Sequence, residues 1–317
     1  MGRYIGIRLA HALLILALVI VLVFVIARLI PGDAIMAAMA GNVDLHDAAV
    51  VERVRHQFGL DQPILVQFAV WIEQFVRGDW GISIGSGEKV LDMFLRRLPI
   101  TLELFFGATL WSLAIGIPVG IVGALKRNST LDVLLTTGTI VGVSIPAFWE
   151  AIVLIYLFAV VFPILPPSGY VPFAEDPLLN LKAMVLPTFV LGTHSGGLLA
   201  RYVRSSLLEV LGQDYIRTAR AKGLPERTVI FKHGLRASLT PIVTMFGLDI
   251  ALLVGGAVIT ESVFNLQGLG YLAINDALQQ DLPVVLGVVL VASIAVAFAN
   301  LIVDILYAFI DPRVRYA

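Results

Sequence analysis

Ser83 lies at the centre of a Gly-x-Ser-x-Gly pattern that runs from Gly81 to Gly85. In hydrolases this spacing holds a serine nucleophile on a sharp turn between a strand and a helix, and a later histidine supplies the base. The histidines after Ser83 are His194, inside an apolar stretch, and His233, inside a basic one. The pattern also follows a predicted helix rather than a strand. We therefore interpret residues 81–85 as a turn and not as a catalytic site.

Other catalytic chemistry has no support in the residue types present. The sequence contains no cysteine, no His-Glu-x-x-His pattern and no Gly-x-x-x-x-Gly-Lys-Ser/Thr phosphate loop. Thiolate catalysis and thiolate metal sites are therefore excluded, and no spacing of ligands predicts a metal centre. We expect no catalytic residue, no metal and no cofactor in this chain.

Ionisable side chains inside apolar stretches are the remaining candidates for chemistry. Glu150, Asp249 and His194 each lie in such a stretch. A charged group within a membrane is costly, faces protein or water, and often marks a solute path. We take all three as candidates for that path, and Glu150 or Asp249 could meet a positively charged group of a solute. The alternative is an interhelical hydrogen bond, which we favour for His194.

Two further features concern packing. Asp304 lies near the end of the last apolar stretch, so we expect a local salt bridge to Arg313 or Arg315. Three Gly-x-x-x-Gly pairs predict close helix contacts: Gly116/Gly120, Gly138/Gly142 and Gly192/Gly196.

The elements that position these groups are predicted to be membrane-spanning helices. The chain is 58% hydrophobic and 14% charged, whereas soluble proteins carry about 25% charged residues. Six apolar stretches approach the roughly 20 residues that a crossing needs: 9–29, 100–125, 133–162, 183–200, 239–259 and 283–310. The first is too long for the apolar part of a signal peptide. We expect Pro118, Pro146 and Pro187 to kink their helices rather than break them.

The distribution of basic residues predicts the orientation. Fourteen of the 22 Lys and Arg residues fall at the N-terminus, in the 126–132 and 201–238 loops, or at the C-terminus. Cytoplasmic loops are enriched in Lys and Arg, so we expect both termini in the cytoplasm. The predicted organisation is a first crossing in 1–30, an extracytoplasmic helical insertion in 31–98, and a core membrane domain in 99–317 with the cytoplasmic loop 201–238. Within the insertion we expect helices at 44–58 and 63–77.

The cytoplasmic loop 201–238 contains a short predicted helix, 215–222. Asp214 is expected to cap it, Gly223 to end it in a left-handed conformation, and Pro225 to open the next helix. Its small residues, including Ala219, would allow close approach by a partner. We therefore interpret this helix as a docking site for a cytoplasmic protein. The alternative is that it is a basic helix next to the membrane that contacts anionic lipid.

This loop resembles the cytoplasmic coupling motif of ATP-binding-cassette (ABC) importer permeases. The segment 215–223 (YIRTARAKG) is similar to that of the oligopeptide, dipeptide and nickel permease family, first-subunit branch, although Arg217 replaces the glutamate of the general motif. The resemblance covers nearly the whole chain. Other segments that share it are 31–33, 59–63, 78–81, 165–169, 264–270 and 311–316.

The resemblance implies an all-α, type I importer permease with about six crossings. It implies a second homologous permease, two ABC ATPase subunits that bind ATP and Mg²⁺, an extracytoplasmic solute-binding protein, and no nucleic acid. The implied transport is of short peptides by alternating access, with nickel complexes, glutathione, opines or oligosaccharides as alternative solutes. An ion-coupled carrier or channel is the remote alternative. The implied ATPase-coupling residues are Asp214, Tyr215, Arg217, Thr218, Ala219, Arg220, Ala221, Lys222 and Gly223.

Overall fold

The computed structural model describes residues 2–29, 61–83, 85–239, 242–243, 257–279 and 281–310. The helices, in chain order, are α1 (Gly2–Leu29), α2 (Ile64–Val76), α3 (Val90–Leu125), α4 (Thr130–Ser144), α5 (Ala147–Ile155), α6 (Pro177–Leu211), α7 (Asp214–Ala221), α8 (Glu226–Thr228), α9 (257–264), α10 (Leu269–Leu278) and α11 (Leu282–Ile310). A π-helical segment extends α5 over Tyr156–Val161, and another extends α8 over Val229–Leu235.

The predicted all-α membrane architecture is confirmed. Four of the described helices are long and apolar enough to cross a membrane: α1, α3, α6 and α11. If the bent pair α4–α5 forms a single span, it is a fifth crossing. Most of the predicted stretch 239–259 lies outside the described residues. The predicted stretch 183–200 is the middle of a longer helix, because α6 extends from Pro177 to Leu211 through Pro187.

The expectation that Pro146 only kinks its helix is wrong. The chain turns by 99° between α4 and α5. A residue that precedes proline is driven out of the helical conformation, and Ile145 accordingly has φ −74° and ψ 127°. The Pro146 carbonyl then accepts hydrogen bonds from the Trp149 and Glu150 amides and starts α5 afresh. The α4–α5 joint is therefore a break in the helix.

Helix α6 lies at the centre of the fold, and α3 packs along it in the same direction. Successive contacts join Gly107 to Thr188 and Gly120 to Val203. A Cβ atom on Gly107 would lie 2.4 Å from the Thr188 Cγ2, and one on Gly120 would lie 2.6 Å from the Ala200 carbonyl oxygen. The close approach predicted for Gly116/Gly120 and Gly192/Gly196 is present. Gly138 is different, because no heavy atom lies within 4 Å of its built Cβ.

These contacts also define two sides of the molecule. Gly287, near the start of α11, packs against Phe94, near the start of α3. Arg8 of α1 pairs with Asp304 at the far end of α11. The start of α1 and the ends of α3, α6 and α11 therefore share one side with α7. We call this the α7 side and the opposite one the α10 side.

Helix α2 confirms the helix predicted at 63–77, and the one predicted at 44–58 lies outside the described residues. The aromatic face of α2 connects the insertion to the bundle. Phe68 lies 5.2 Å from Phe24 of α1, and Phe75 stacks on Trp80 at 4.7 Å between ring centroids. Trp80 in turn meets Phe94 of α3 at 5.3 Å. A continuous row of rings thus joins α1, α2 and α3.

Candidate functional site

The short helix α7 is seated directly beneath the central helix. Helix α6 ends at Leu211, and α7 begins at Asp214. Ile216 is fully buried and Ala219 is 8% exposed, and both pack with Val229 and Leu211. These apolar contacts fix α7 to the end of α6.

Asp214 does not cap α7, so that prediction is wrong. Gln213 occupies the capping position without a side-chain bond, and its carbonyl accepts hydrogen bonds from the Ile216 and Arg217 amides. Asp214 is the first helical residue and pairs with Arg217 at 3.3 Å instead. Its negative charge still lies in the first turn, where it complements the helix dipole.

The end of α7 forms as predicted. Gly223 has φ +75°, a left-handed conformation that glycine adopts without a Cβ clash. Arg220 reaches across this turn and donates to both carboxylate oxygens of Glu226, at 2.7 and 3.2 Å. The Arg220 guanidinium lowers the pKa of Glu226 below its usual value of 4.5. Pro225 caps α8 rather than entering it. The ion pair fastens α7 to α8.

The exposed face of α7 is polar and contains most of the residues that the resemblance implicates. Its exposed residues are Asp214, Tyr215, Arg217, Thr218, Arg220, Ala221 and Lys222. Ala219 is the exception, and the expectation that it faces a partner is wrong. Side chains three apart share a helix face, so Ala219 follows Ile216 into the protein. A partner at α7 would meet Tyr215 and Arg217.

A buried ion pair near α7 is a feature that sequence reasoning missed. The Asp132 side chain, 5% exposed, accepts two hydrogen bonds at 2.8 Å from Arg204 of α6. Asp132 also accepts from the Asn128 amide at 2.9 Å, and Ser129 caps the start of α4. The pair binds the base of α4 to α6 seven residues before α6 ends.

The solute-path candidates lie in different parts of the chain. Glu150 is in the first turn of α5, directly after the break, and α5 packs against α6. His194 is the next residue on α6 and is half-buried. Within the described part of the chain, no hydrogen bond or ion pair joins Glu150 to His194. Asp249 lies outside the described residues.

A second buried carboxylate, also missed from sequence, organises the α10 side. Glu261 accepts from the Thr101 hydroxyl at 2.6 Å and from the Tyr271 amide at 2.8 Å. The Thr101 oxygen in turn accepts from the Leu269 amide at 2.8 Å. Gly268 approaches so closely that an added Cβ would lie 2.4 Å from the Glu261 Oε1. Helices α3, α9 and α10 are joined at this point.

The serine pattern is a turn, as predicted. Gly81 has φ +85°, and the Ser83 hydroxyl donates to Asp281 at 2.6 Å rather than to a histidine. Asp281 also accepts from the Gly85 amide at 3.0 Å. The turn therefore ties the insertion to the start of α11. Among the described residues, no group of three or more His, Asp or Glu side chains is arranged to hold a metal ion.

Comparison with known proteins decides the family. Residues 116–316 match the family described as the binding-protein-dependent transport system inner membrane component, and residues 1–105 match the corresponding N-terminal family. The chain belongs to this family. The permease is thus a multi-pass inner-membrane subunit of an ABC importer, as the resemblance implied.

Relatives and a solved structure support this assignment. The permease is 39% identical to the oligopeptide transport system permease protein AppB of Bacillus subtilis (strain 168), over 100% of both chains. It is 41% identical to the "Probable D,D-dipeptide transport system permease protein DdpB" of Escherichia coli (strain K12), over 95% of this chain and 94% of that one. The inward-facing MetNI methionine ABC transporter shares the fold, with a TM-score of 0.56 at 21% identity, over 69% of this chain and 96% of that one.

Proposed function

We propose that this permease moves short peptides across the cytoplasmic membrane by alternating access, driven by ATP hydrolysis on partner chains. The observation that carries the proposal is α7, a short helix with a polar exposed face fixed to the end of the central helix. The names of the peptide transport relatives support the solute class. The α7 side then faces the cytoplasm, in agreement with the charge distribution.

Helix α7 is suited to receive force from an ATPase. Its buried face is held by Ile216 and Ala219, and the Arg220–Glu226 pair prevents the following turn from opening. Helix α6 has 35 residues, so it extends about 52 Å at 1.5 Å per residue. A displacement of α7 by nucleotide-driven closure is therefore passed to the whole bundle as a rigid-body movement between two packed states.

The proposed partners are those that the family resemblance implies, placed on this arrangement. Two ABC ATPase subunits supply ATP and Mg²⁺ binding and dock at α7 of this chain and at its counterpart on a second, homologous permease. A solute-binding protein delivers the peptide on the α10 side. The coupling residues proposed here are those exposed on α7, led by Tyr215 and Arg217, whereas Ala219 acts by holding the helix in place.

Glu150 is the strongest candidate on the solute path. It follows the Pro146 break, where the helical hydrogen-bond pattern is interrupted, and its helix packs against α6, the helix that α7 moves. A carboxylate at this joint is placed to form a charge-assisted hydrogen bond with a peptide ammonium group. His194 and Asp249 are secondary candidates on the same path.

The test is a purified complex of the permease, its sibling and the ATPases in proteoliposomes. The binding protein is supplied empty or loaded with a dipeptide, an oligopeptide, glutathione, a nickel complex or an oligosaccharide. We expect the peptide-loaded protein to stimulate ATP hydrolysis and to deliver peptide only when ATP is present. Stimulation by a non-peptide solute alone would reassign the cargo. Solute uptake without the ATPases would refute the mechanism.

A further inference from the structure

Helices α1 and α11 leave a cavity between them that runs along most of their length, from Arg8 and Asp304 on the α7 side to Val288. Its volume is about 770 Å³. Both helices are otherwise little covered, since 6% of the apolar segment of α1 and 11% of that of α11 are buried. The cavity therefore opens toward the surface that a bilayer would surround.

The lining is polar at one end and, apart from Ser293, whose hydroxyl donates to the Val289 carbonyl, apolar along the rest. Arg8, His11, Asn300 and Asp304 form the polar end. The Arg8 guanidinium lies 3.5 Å from the Asp304 carboxylate, and their side chains are 40% and 23% exposed. The cavity thus presents one positive and one negative charge next to each other.

The position of this charge pair matches the membrane interface. The apolar segments run over Gly6–Val25 in α1 and Pro283–Ile305 in α11, so Arg8 and Asp304 lie at their ends on the α7 side. From these residues the lining continues to Val19 and Val288, about 16 and 24 Å away at 1.5 Å per residue. Half of a hydrocarbon core is about 15 Å thick, so the lining on α1 is about one leaflet deep, and the lining on α11 continues past the midplane.

We propose that this cavity binds a phospholipid with a zwitterionic, amine-bearing headgroup from the leaflet on the α7 side. The lipid phosphate meets Arg8, its ammonium group meets Asp304, and one acyl chain lies along Ala12, Ala292 and Val296. A headgroup with only negative charge would satisfy Arg8 but would face the Asp304 carboxylate.

The headgroup supplies the selectivity. An acyl chain that enters the cavity leaves an equally apolar bilayer, so chain burial gives little preference. We therefore expect enrichment of about tenfold over an anionic lipid, which corresponds to about 1.4 kcal/mol. The inference rests on membrane insertion alone and is independent of the transported solute.

The experiment uses the complete complex, reconstituted with equal amounts of phosphatidylethanolamine and phosphatidylglycerol and then delipidated with detergent. Retained lipid is counted by native mass spectrometry. We expect about one phosphatidylethanolamine per permease. The enrichment of phosphatidylethanolamine over phosphatidylglycerol, about tenfold in the wild type, should disappear in Arg8→Gln and in Asp304→Asn. Ala292→Phe, which fills the cavity, should lose the lipid. Ala295→Phe, on the exposed face of the same helix, should keep it.

Three results would overturn the proposal. They are equal retention of both lipids by the wild type, unchanged retention in the two charge variants, and a photocrosslinker at position 292 that captures another polypeptide instead of lipid. If Ala292→Phe does not assemble, the charge variants alone decide the outcome. Loss of transport with normal lipid retention would count against the proposed function and leave this site intact.

Discussion

The Asp132–Arg204 pair should determine how firmly α4 is held to the moving helix. Asp132→Asn removes the negative charge. It also replaces one of the two carboxylate oxygens that accept from Arg204 with an NH2 group, which cannot accept a hydrogen bond from the guanidinium. Breaking a buried ion pair costs about 3–5 kcal/mol. The Arg204 side chain is 29% exposed, so water can compensate part of that loss, and we expect about 2–3 kcal/mol. At about 2–4 °C per kcal/mol, the melting temperature should fall by roughly 4–12 °C.

The assay measures thermal unfolding of the purified complex together with transport. Because α4 leads to the Pro146 break, its release from α6 should lower the rate of peptide uptake more than the rate of ATP hydrolysis. Arg204→Lys, which keeps the charge but loses the bidentate geometry, should give an intermediate effect.

Glu88→Gln is the matched control. It breaks the Arg96–Glu88 pair, whose side chains are 63% and 51% exposed, and exposed pairs contribute about 0–1 kcal/mol. The reasoning is refuted if Asp132→Asn melts no lower than Glu88→Gln, or if uptake and ATP hydrolysis decline in parallel.

Three further predictions address α7 and the solute path. Tyr215→Ala should preserve stability but reduce co-purification of the ATPases, whereas Ile216→Ala should destabilise the loop by about 2–4 kcal/mol because it empties a buried site. Pairing with Arg220 lowers the pKa of Glu226. The stabilisation from the Arg220–Glu226 ion pair is therefore fully present above pH 4.5, the pKa in the unfolded state, and is lost as the pH falls through the lowered pKa of the folded state. Hydrogen-exchange protection of the Lys222, Gly223 and Leu224 amides, which are hydrogen-bonded at the end of α7, should therefore drop below pH 4.5, and Glu226→Gln should abolish that pH dependence. Glu150→Gln should raise the half-saturating peptide concentration about tenfold, the loss expected for one charge-assisted hydrogen bond.

Each of these has a decisive contrary result. Normal ATPase binding by Tyr215→Ala would move the docking surface elsewhere. An unchanged protection profile in Glu226→Gln would show that the turn does not need the ion pair. N-acetylated peptides lack the ammonium group and should be insensitive to Glu150→Gln; equal sensitivity would return Glu150 to a structural role.

The sequence predicted the elements that depend on local pattern. Long apolar runs revealed the crossings, and Gly223 revealed the end of α7, because the left-handed conformation that ends a helix favours glycine. The same local rule, applied to Ile216, would have placed Ala219 on the buried face. The residue before Pro146 carried the signal for a break, but the apolar run around it suggested a continuous helix.

Pairs distant in sequence were not predictable in this way. Asp132 and Arg204 are 72 residues apart, and Thr101 and Glu261 are 160 apart. Nothing in the pattern around a single charge identifies such a partner. Asp304 illustrates the point, because the expected partners Arg313 and Arg315 lie outside the described residues, and the structure pairs it with Arg8.

The glycine-mediated contact between α3 and α6 restricts how the bundle can move. Side chains of α6 fill the spaces that Gly107 and Gly120 leave on α3, so neither helix can slide or rotate without a steric clash. Helices α3 and α6 therefore move together as one rigid unit. Bending is easiest at the α4–α5 joint, because Pro146 has no amide hydrogen to continue the hydrogen bonds of α4, and a shift of the two helices is converted there into a change of angle.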